Sequence, residues 1–361
     1  PYNEDGSLKR TITMAEDTQY LYTRKGLEDL DDAYVDKKLA FGSYNTVYGE
    51  IKIPGVKGLK YRLNLGLNYR STNNGKYVGE GVFSESATNV SNANISNSLT
   101  TNWTIENLLT YDRIFAEKHS LNVVALYSAE RTHYHSSYVS ATDIPADQFQ
   151  FYNLGRATGE ITVDPSKQGY YESGLMSAMG RIMYSYDNRY MLSVAFRTDG
   201  SSRLASGHKW HAYPAVSAGW NIKDEAFMQG LTKLNRLKLR VGYGETSNQS
   251  VDPYKTLGLL GSKPYNYGDT YTVGYNVEEL PNDELGWEYS QTYNFGLDFT
   301  AFNNRLSGTF EYYSQKTKDI LLEVELPETS GVDSYYANIG KSENKGFEFS
   351  LNGVILDNYN G

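Results

Sequence analysis

Strict alternation of apolar and polar residues, repeated along the chain, is the feature that most constrains the fold. In residues 60–70 (KYRLNLGLNYR) every odd position is apolar or aromatic, and every even position is polar or glycine. A helix cannot sort these residues onto two faces, whereas a strand does so because successive side chains point to opposite sides. The pattern recurs at 236–243, 292–299 and 347–352. The chain is therefore predicted to be all-β.

The predicted strands are long. They run for about 10 to 15 residues, whereas soluble strands average about 5 to 6 and membrane-spanning strands need about 9 to 11. Short and long connections alternate between them if 223–234 is counted as short, and this asymmetry is typical of outer-membrane barrels. We predict strands at 39–53, 59–70, 102–115, 119–134, 177–187, 189–199, 208–222, 235–245, 287–301, 305–318 and 342–356.

Tyrosine is unusually frequent, with 33 residues against 13 phenylalanines and 4 tryptophans. Its ring is apolar and its hydroxyl is polar, so it is favoured where apolar material meets water. Aromatic residues near the ends of the predicted strands indicate the two interfacial girdles of a membrane barrel. These residues are Tyr44 and Tyr48, Tyr61 and Tyr69, Trp103 and Tyr111, Tyr184 and Tyr186, Tyr213 and Trp220, and Trp287 and Tyr293.

Charge and composition exclude several classes of protein. The net charge is −9, which argues against a nucleic-acid partner because phosphate binding needs a clustered basic face. Cysteine is absent, so disulfide frameworks, cysteine zinc sites and thiol nucleophiles are excluded. No apolar run approaches the about 20 residues of a spanning helix.

Residues with catalytic or metal-binding chemistry form no recognisable site in the sequence. His133 and His135 share one face of a strand but lack an evident third ligand for a metal. An acidic cluster lacks the spacing of a calcium loop. We therefore expect no enzymatic activity, no metal site and no cofactor. The cluster consists of Glu28, Asp29, Asp31 and Asp32.

Specific strings resemble one family. Residues 190–203 (YMLSVAFRTDGSSR) resemble the strand-and-loop string YxLxxxxRxDGSSRF of SusC/RagA-type TonB-dependent outer-membrane transporters. Residues 237–249 (LKLRVGYGETSNQ) are similar to that family's LKLRxSYGxTGNQ. Leu204 stands where phenylalanine is usual, and Ser247 where glycine is usual. Similar strings cover most of 100–356 in the family's order.

The resemblance implies an antiparallel transmembrane β-barrel of about 22 strands around an N-terminal plug. Because about eleven strands are predicted here, we expect residues 1–361 to be part of the barrel domain, without the plug, the TonB box and the final strands. The resemblance also implies the outer membrane of a Gram-negative bacterium. Its implied function is TonB-dependent uptake of oligosaccharides or other large nutrients, including peptides. The implied partners are a SusD-like lipoprotein, TonB through the missing N-terminal part, and outer-membrane lipid.

Residues that would meet a transported solute are expected on the polar face of the strands and in the long loops. Our lumen-facing candidates are Arg62, Asn64, Asn68, Lys238, Arg240, Glu311, Gln315 and Glu348. The loop aromatics Tyr265, Tyr267, Tyr271 and Tyr275 are suited to stacking on sugars, and equally to packing within the loop or touching a partner. Two other interpretations stay open at this point. The first is a soluble or surface carbohydrate-binding β-protein whose apolar faces form a core, and the second is a passive porin.

Overall fold

The computed structural model describes residues 6, 11–13, 20–22, 30–80, 82, 90–268 and 270–355. Within these residues, regular structure consists of β-strands and one-turn 3-10 helices. No helix in this part of the chain is long and apolar enough to cross a membrane. Two short strands, β1 (Thr11–Thr13) and β2 (Tyr20–Tyr22), pair with each other.

Most of the described chain belongs to one 12-stranded sheet in which strands that are neighbours in sequence are neighbours in space. Its order is β18-β15-β14-β11-β10-β9-β8-β6-β5-β4-β3, and β7 (Ile161–Thr162) pairs with β6 off this path. The eleven strands of the path are β3 (Tyr34–Lys52), β4 (Leu59–Val78), β5 (Asn92–Phe115), β6 (His119–Thr142), β8 (Gly169–Tyr186), β9 (Tyr190–Ser201), β10 (Trp210–Asn221), β11 (Leu234–Asn248), β14 (Glu288–Ala301), β15 (Leu306–Lys318) and β18 (Lys341–Gly353).

All eleven predicted strands are present, and the all-β antiparallel prediction is confirmed. Several strands are longer than predicted at the end that leads into a long connection. β5 begins at Asn92 rather than 102, and β6 continues to Thr142 rather than 134. The extra residues are mostly polar, and their few apolar residues, such as Ala93, Ile95 and Ala141, pack into a buried cluster, so the regular apolar alternation ends there while the backbone ladder continues. Hydrophobic pattern alone could not detect these extensions.

The predicted short connections are tight turns. Asp187 and Asn188 have φ of 52° and 51°, which is the left-handed pair required by a two-residue type I′ hairpin. The connection between β10 and β11 contains two 3-10 turns, Ile222–Asp224 and Ala226–Met228, and joins adjacent antiparallel strands as predicted. This connection (222–233) is nevertheless longer than the one between β9 and β10 (202–209), so short and long connections alternate only where 222–233 is counted as short.

The register places apolar and polar side chains on opposite faces of the sheet, as the alternation predicts. On one face Phe295 lies opposite Tyr312, which lies opposite Phe347. On the other face Arg240 lies opposite Gly296, which lies opposite Glu311. We call these the apolar face and the polar face.

Large side chains of the apolar face are exposed. Phe295 is 49% exposed, Phe310 45% and Phe347 72%. A soluble sandwich would bury such rings as its core, yet none of the three buried clusters among the described residues contains them. This exposure favours a lipid-facing surface over the soluble interpretation.

Aromatic residues at the short-turn end of the apolar face match the predicted girdle. Tyr190 stacks on Tyr186 and on Trp220, with ring centroids 6.5 Å apart in both pairs. The carboxylate of Glu225 accepts hydrogen bonds from the Tyr190 hydroxyl, from Trp220 Nε1 at 3.0 Å and from Arg189 Nη1 at 3.4 Å. The hydrogen bond from Tyr190, together with the other two donors, lowers the pKa of the Glu225 carboxyl.

Three aromatics assigned to the girdles lie elsewhere. Tyr48 lies on the polar face, and the guanidinium carbon of Arg62 lies 4.0 Å from the centroid of the Tyr48 ring. Tyr213 is on the polar face, where its hydroxyl bonds Asp199. Trp287 is buried among loop residues, and its Nε1 donates to the Lys209 carbonyl at 2.8 Å. Position near a strand end does not reveal which face a ring occupies, so the girdle prediction was wrong for these residues.

The chain divides into two compact units. The first comprises 1–45, 66–103 and 132–172, and its main buried cluster contains Tyr77, Ala93, Ala141, Ile144, Phe151 and Leu154. The second comprises 46–65, 104–131 and 173–361. Within the second, a four-stranded sheet fills the two longest connections, and its strands are β12 (Leu259–Tyr267), β13 (Thr270–Glu279), β16 (Leu321–Glu325) and β17 (Ser334–Asn338).

Candidate functional site

A charged cluster occupies the polar face of β11, β14 and β15. Arg240 Nε and Nη2 donate to the two carboxylate oxygens of Asp298 at 2.9 and 2.8 Å, and Nη2 also donates to Glu311. Such a bidentate pair fixes the plane of the guanidinium as well as its position. The Arg240 side chain is 35% exposed, so the cluster is open to solvent. It carries one positive and two negative charges.

Gly296 lies beneath this cluster. It lies between Arg240 and Glu311 in the register, and a Cβ added there would be 2.8 Å from Arg240 Nη2. That separation is shorter than a real Cβ contact, so a larger residue at 296 would shift the guanidinium from its position over the strand. The glycine in the string YNFGLDF is thus explained by close approach.

A groove of about 570 Å³ runs along the polar face beside this cluster. Lys238 and Arg240 contribute its charged side chains, and Asn122 and Asn294 contribute amides. Residues with small side chains form much of the remaining wall, which leaves room for a hydrated solute. They include Ser193, Ser217, Gly219 and Gly242.

A second polar cluster lies on β4 and β5. Arg62 Nε donates to Asn64 Oδ1 at 2.7 Å, and Asn64 Nδ2 donates to Glu106 Oε2 at 3.0 Å. The Arg62 guanidinium also lies over the ring of Tyr48 on β3. This network orients the arginine by an amide, a carboxylate and a cation–π contact.

The remaining lumen candidates also lie on polar-face positions. Asn68 Nδ2 donates to Asn102 Oδ1 at 3.4 Å. Glu348 lies directly opposite Glu311, and Gln315 lies opposite Thr292 and Asn344. The structure therefore brings Lys238, Arg240, Glu311 and Glu348 onto neighbouring strands and leaves Arg62 and Asn64 on β4. Contact with a solute stays a prediction for all of them.

Asp298 and Glu106 are functional candidates that sequence reasoning missed. Both occupy polar-face positions, and each is the acceptor that orients a predicted residue. The alternation that selected Glu311 places Asp298 on the same face, so the signal was present. What the pattern could not supply was the cross-strand register that pairs Asp298 with Arg240.

A loop cluster around Arg203 orders the long connections of the second unit. Arg203 Nη1 donates to the Val251 carbonyl at 2.9 Å, and the Ala205 amide donates to the Leu285 carbonyl at 3.0 Å. Segments of two separate connections, 202–209 and 249–287, thus meet at the DGSSR string. Their buried core consists of Leu204, Ala205, Val251, Leu285 and Trp287.

An ion pair joins this loop cluster to the four-stranded sheet. Lys255 Nζ bonds the Glu279 carboxylate and lies 5.1 Å from the ring centroid of Tyr336. Burial alone would lower the pKa of the Lys255 ammonium, but the hydrogen bond to Glu279 and the negative charges of Glu279 and Glu323 together outweigh burial, and the pKa is raised. Nearby, the Ser334 hydroxyl donates to Glu323 at 2.7 Å and lowers the pKa of that carboxyl.

The predicted loop aromatics lie on the β12–β13 hairpin. Tyr265 is 63% exposed, Tyr267 78% and Tyr275 74%, while Tyr271 lies in β13. Tyr265 and Tyr267 approach each other with centroids 6.3 Å apart. The exposed rings are available to a ligand or a partner.

The histidines and acidic residues form no metal centre in the described part of the chain. His133 and His135 have ring centroids 5.5 Å apart and lie beside Tyr170, and no group of three potential ligands occurs among the described residues. Asp31 and Asp32 lie at a 3-10 turn. Their sequence neighbours Glu28 and Asp29 lie outside the described residues.

Comparison with known proteins gives one family throughout. A family model described as TonB dependent receptor-like, beta-barrel matches residues 5–360. The TonB-dependent receptor P3 of Formosa agariphila is 33% identical over 350 residues, covering 93% of this chain and 34% of the relative. The TonB-dependent receptor SusC of Bacteroides thetaiotaomicron is 38% identical over 184 residues, covering 49% of this chain and 18% of the relative. The chain thus spans about a third of the length of the P3 receptor.

Solved structures show a similar fold. The structure of the RagAB peptide transporter aligns over 99% of this chain and 38% of its own, with a TM-score of 0.78. The identity is 24%, so this likeness concerns the fold alone. It covers both the main sheet and the long connections of the chain described here.

Proposed function

Since the chain belongs to the TonB-dependent receptor-like β-barrel family, we propose that it forms part of the wall and the external loops of an energy-coupled transporter. Proteins of this family are β-barrels of the Gram-negative outer membrane. The transporter would import large nutrients, oligosaccharides or peptides, with TonB supplying work from the inner-membrane proton gradient through a plug. The resemblance to the SusC/RagA type supports this substrate class.

The single observation that carries the proposal is the two-faced sheet. Exposed rings such as Phe295 and Phe310 suit contact with lipid, and the Arg240 cluster suits an aqueous lumen. A wall with paired charges and a groove of small residues binds hydrated solutes weakly, which passage requires. Arg62, Asn64, Lys238, Arg240 and Glu348 are the wall residues that we assign to such contacts.

Uptake by cells tests this proposal. Fluorescent oligosaccharide and peptide mixtures are offered to cells with the full-length protein, to cells that lack it, and to cells that lack TonB. We expect uptake of at least one mixture to require both the protein and TonB. Uptake that requires the protein but persists without TonB would identify a passive porin instead. Equal uptake with and without the protein would contradict transport altogether.

A SusD-like surface lipoprotein is the partner that we propose on the external loops. The loop cluster around Arg203 and the exposed Tyr265, Tyr267 and Tyr275 provide an ordered surface with aromatic contacts. Affinity purification of the full-length protein in mild detergent should recover a lipoprotein in equal amount. Replacing all three tyrosines with serine should weaken that recovery, whereas an unchanged yield would remove these rings from the interface.

A further inference from the structure

The apolar face changes chemistry abruptly on β15 and β18. Toward the short turns, the paired rows are Tyr312 with Phe347, Phe310 with Phe349, and Gly308 with Leu351. Toward the long connections, the next rows on the same face are Ser314 with Lys345, Lys316 with Glu343, and Lys318 with Lys341. Four lysines and one glutamate therefore continue directly from the apolar band. We call Lys316, Lys318, Lys341 and Lys345 the lysine patch.

Tyrosine rings of β14 lie beside the patch. Tyr293 lies opposite Ser314, and Tyr289 lies opposite Lys318, with the Lys318 ammonium 5.7 Å from the Tyr289 ring centroid. Tyrosine at the edge of an apolar band marks the level of lipid headgroups. The lysines lie at the level of these two rings, where long side chains extend toward the polar layer.

The patch carries an excess of positive charge that the protein neutralises only in part, through Glu343 and through Glu245 of β11, which interacts electrostatically with Lys318. Glu343 accepts from Lys345 at 2.7 Å and from Lys316 at 3.3 Å, so one carboxylate is shared between two ammonium groups. Lys316 is 49% exposed and Lys345 52%. Each ammonium keeps donors free for a further anion.

Strands β9 and β10 do not repeat this feature. At the long-connection ends of β9 and β10, the same face carries Thr198 opposite Ala212 and Gly200 opposite Trp210. These positions are uncharged. The concentration of lysine on two adjacent strands is therefore local, and a general preference for basic residues at the rim does not explain it.

We propose that the lysine patch binds the phosphate groups on the headgroup of an anionic glycolipid in the outer leaflet. Long connections of outer-membrane barrels are external, so the patch lies at the level of that leaflet's headgroups. Lysine binds phosphate as a point charge, and the adjacent Phe347 and Phe349 provide the apolar surface for acyl chains. The inference rests on the outer-membrane location and is independent of the transported substrate.

Binding of lipid A to the full-length protein in detergent tests the proposal. The test variant combines Lys316→Gln, Lys318→Gln and Lys345→Gln. The matched control combines Lys57→Gln, Lys118→Gln and Lys233→Gln, which lie at the short-turn end. Because each lysine near an anionic surface contributes about fivefold in affinity, and Glu343 offsets part of this, we expect the test variant to bind lipid A about 20-fold more weakly. The control should bind as the unmodified protein does.

Two further arms identify the ligand and remove the concern about misfolding. Glu343→Gln frees two ammonium groups and should tighten lipid A binding about fivefold, a gain that a folding defect cannot produce. Lipid A stripped of phosphate should bind all variants equally. Inorganic phosphate in excess should compete only weakly, because it lacks acyl chains.

Several outcomes would overturn the proposal. The first is that the test variant and the control bind lipid A with equal affinity. The second is that the test variant loses as much affinity for phosphate-free lipid A as for lipid A. The third is that inorganic phosphate alone binds as tightly as lipid A. Retained lipid A binding together with loss of a co-purifying acidic protein would assign the patch to a protein neighbour instead.

Discussion

Removing Leu204 should loosen the external loops while leaving the strands below them intact. Leu204 is 2% exposed and packs in the cluster with Leu285 and Trp287, which come from a different connection. Leucine-to-alanine changes in buried sites cost about 2.7 to 5 kcal/mol through lost transfer energy and the remaining cavity. We take about 3 kcal/mol for a loop cluster that can partly relax, which corresponds to an about 100-fold larger opening constant.

Trypsin cleavage after Lys255 reports this opening. The Lys255 side chain is 13% exposed, bonds Glu279 and lies over Tyr336, which packs against the same cluster. When opening is fast relative to cleavage, the cleavage rate follows the population of the open form. Leu204→Ala should therefore raise the rate of cleavage at Lys255 about 100-fold in proteoliposomes.

Leu192→Ala is the matched control for Leu204→Ala, because Leu192 is 48% exposed on the apolar face. Its cleavage rate at Lys255 should equal that of the unmodified protein. Similar rates for the two variants would refute the conclusion that the loop cluster is a cooperative unit held by Leu204.

Three other changes test the charged sites. Arg240→Met leaves Asp298 and Glu311 without their shared cation and should lower the free energy of unfolding by about 1 to 3 kcal/mol. The loss is measured as a lower denaturant concentration at which half of the protein no longer migrates as the folded band on a gel. Gly296→Ala should cause a similar loss by displacing the guanidinium, whereas Gly244→Ala, whose Cβ would meet Ala215 at an ordinary 3.6 Å, should not. Stability equal to the unmodified protein in both Arg240→Met and Gly296→Ala would contradict the role of the cluster. Because the folded pKa of Glu225 is depressed, its contribution is present above the unfolded value of about 4.3 and is lost as pH falls through the folded pKa. Hydrogen exchange of residues 222–228, corrected for intrinsic rates, should show that loss, and Glu225→Gln should show weak protection at every pH. Hydrogen-exchange protection of residues 222–228 that does not change with pH in the unmodified protein would disprove the link between the Glu225 carboxylate and this turn.

The strands could be predicted from sequence because alternation acts locally. Alternation predicts a strand with one apolar and one polar face at residues 60–70, 236–243 and 292–299. The tight turn consists of Asp187 and Asn188, residue types that tolerate the positive φ found there. The extensions of β5 and β6 could not be predicted, because they are mostly polar and their few apolar residues, such as Ala93 and Ala141, do not form a regular period.

For the candidate site, the sequence predicted the face on which each residue lies but not the contacts between residues. The pattern placed Arg240 and Glu311 on one face but did not show that Asp298 lies within reach of the guanidinium. The loop cluster was invisible for a related reason, because Leu204, Val251 and Leu285 are far apart in sequence and lie in segments without periodicity. Contacts between loops depend on backbone paths that local patterns do not specify.

The assignment of the two faces to lipid and water is the central claim, and alternate-residue labelling on β14 tests it most directly. The chain carries no cysteine, so single cysteines at 292, 294, 295 and 297 can be introduced without removing others from it. In full-length protein reconstituted in liposomes, a water-soluble maleimide should label 292 and 294 readily. A fluorophore at 295 and 297 should instead be quenched by brominated lipid, because these positions share the face of Phe310. Labelling and quenching that do not alternate, or that alternate in the opposite sense, would contradict the assignment.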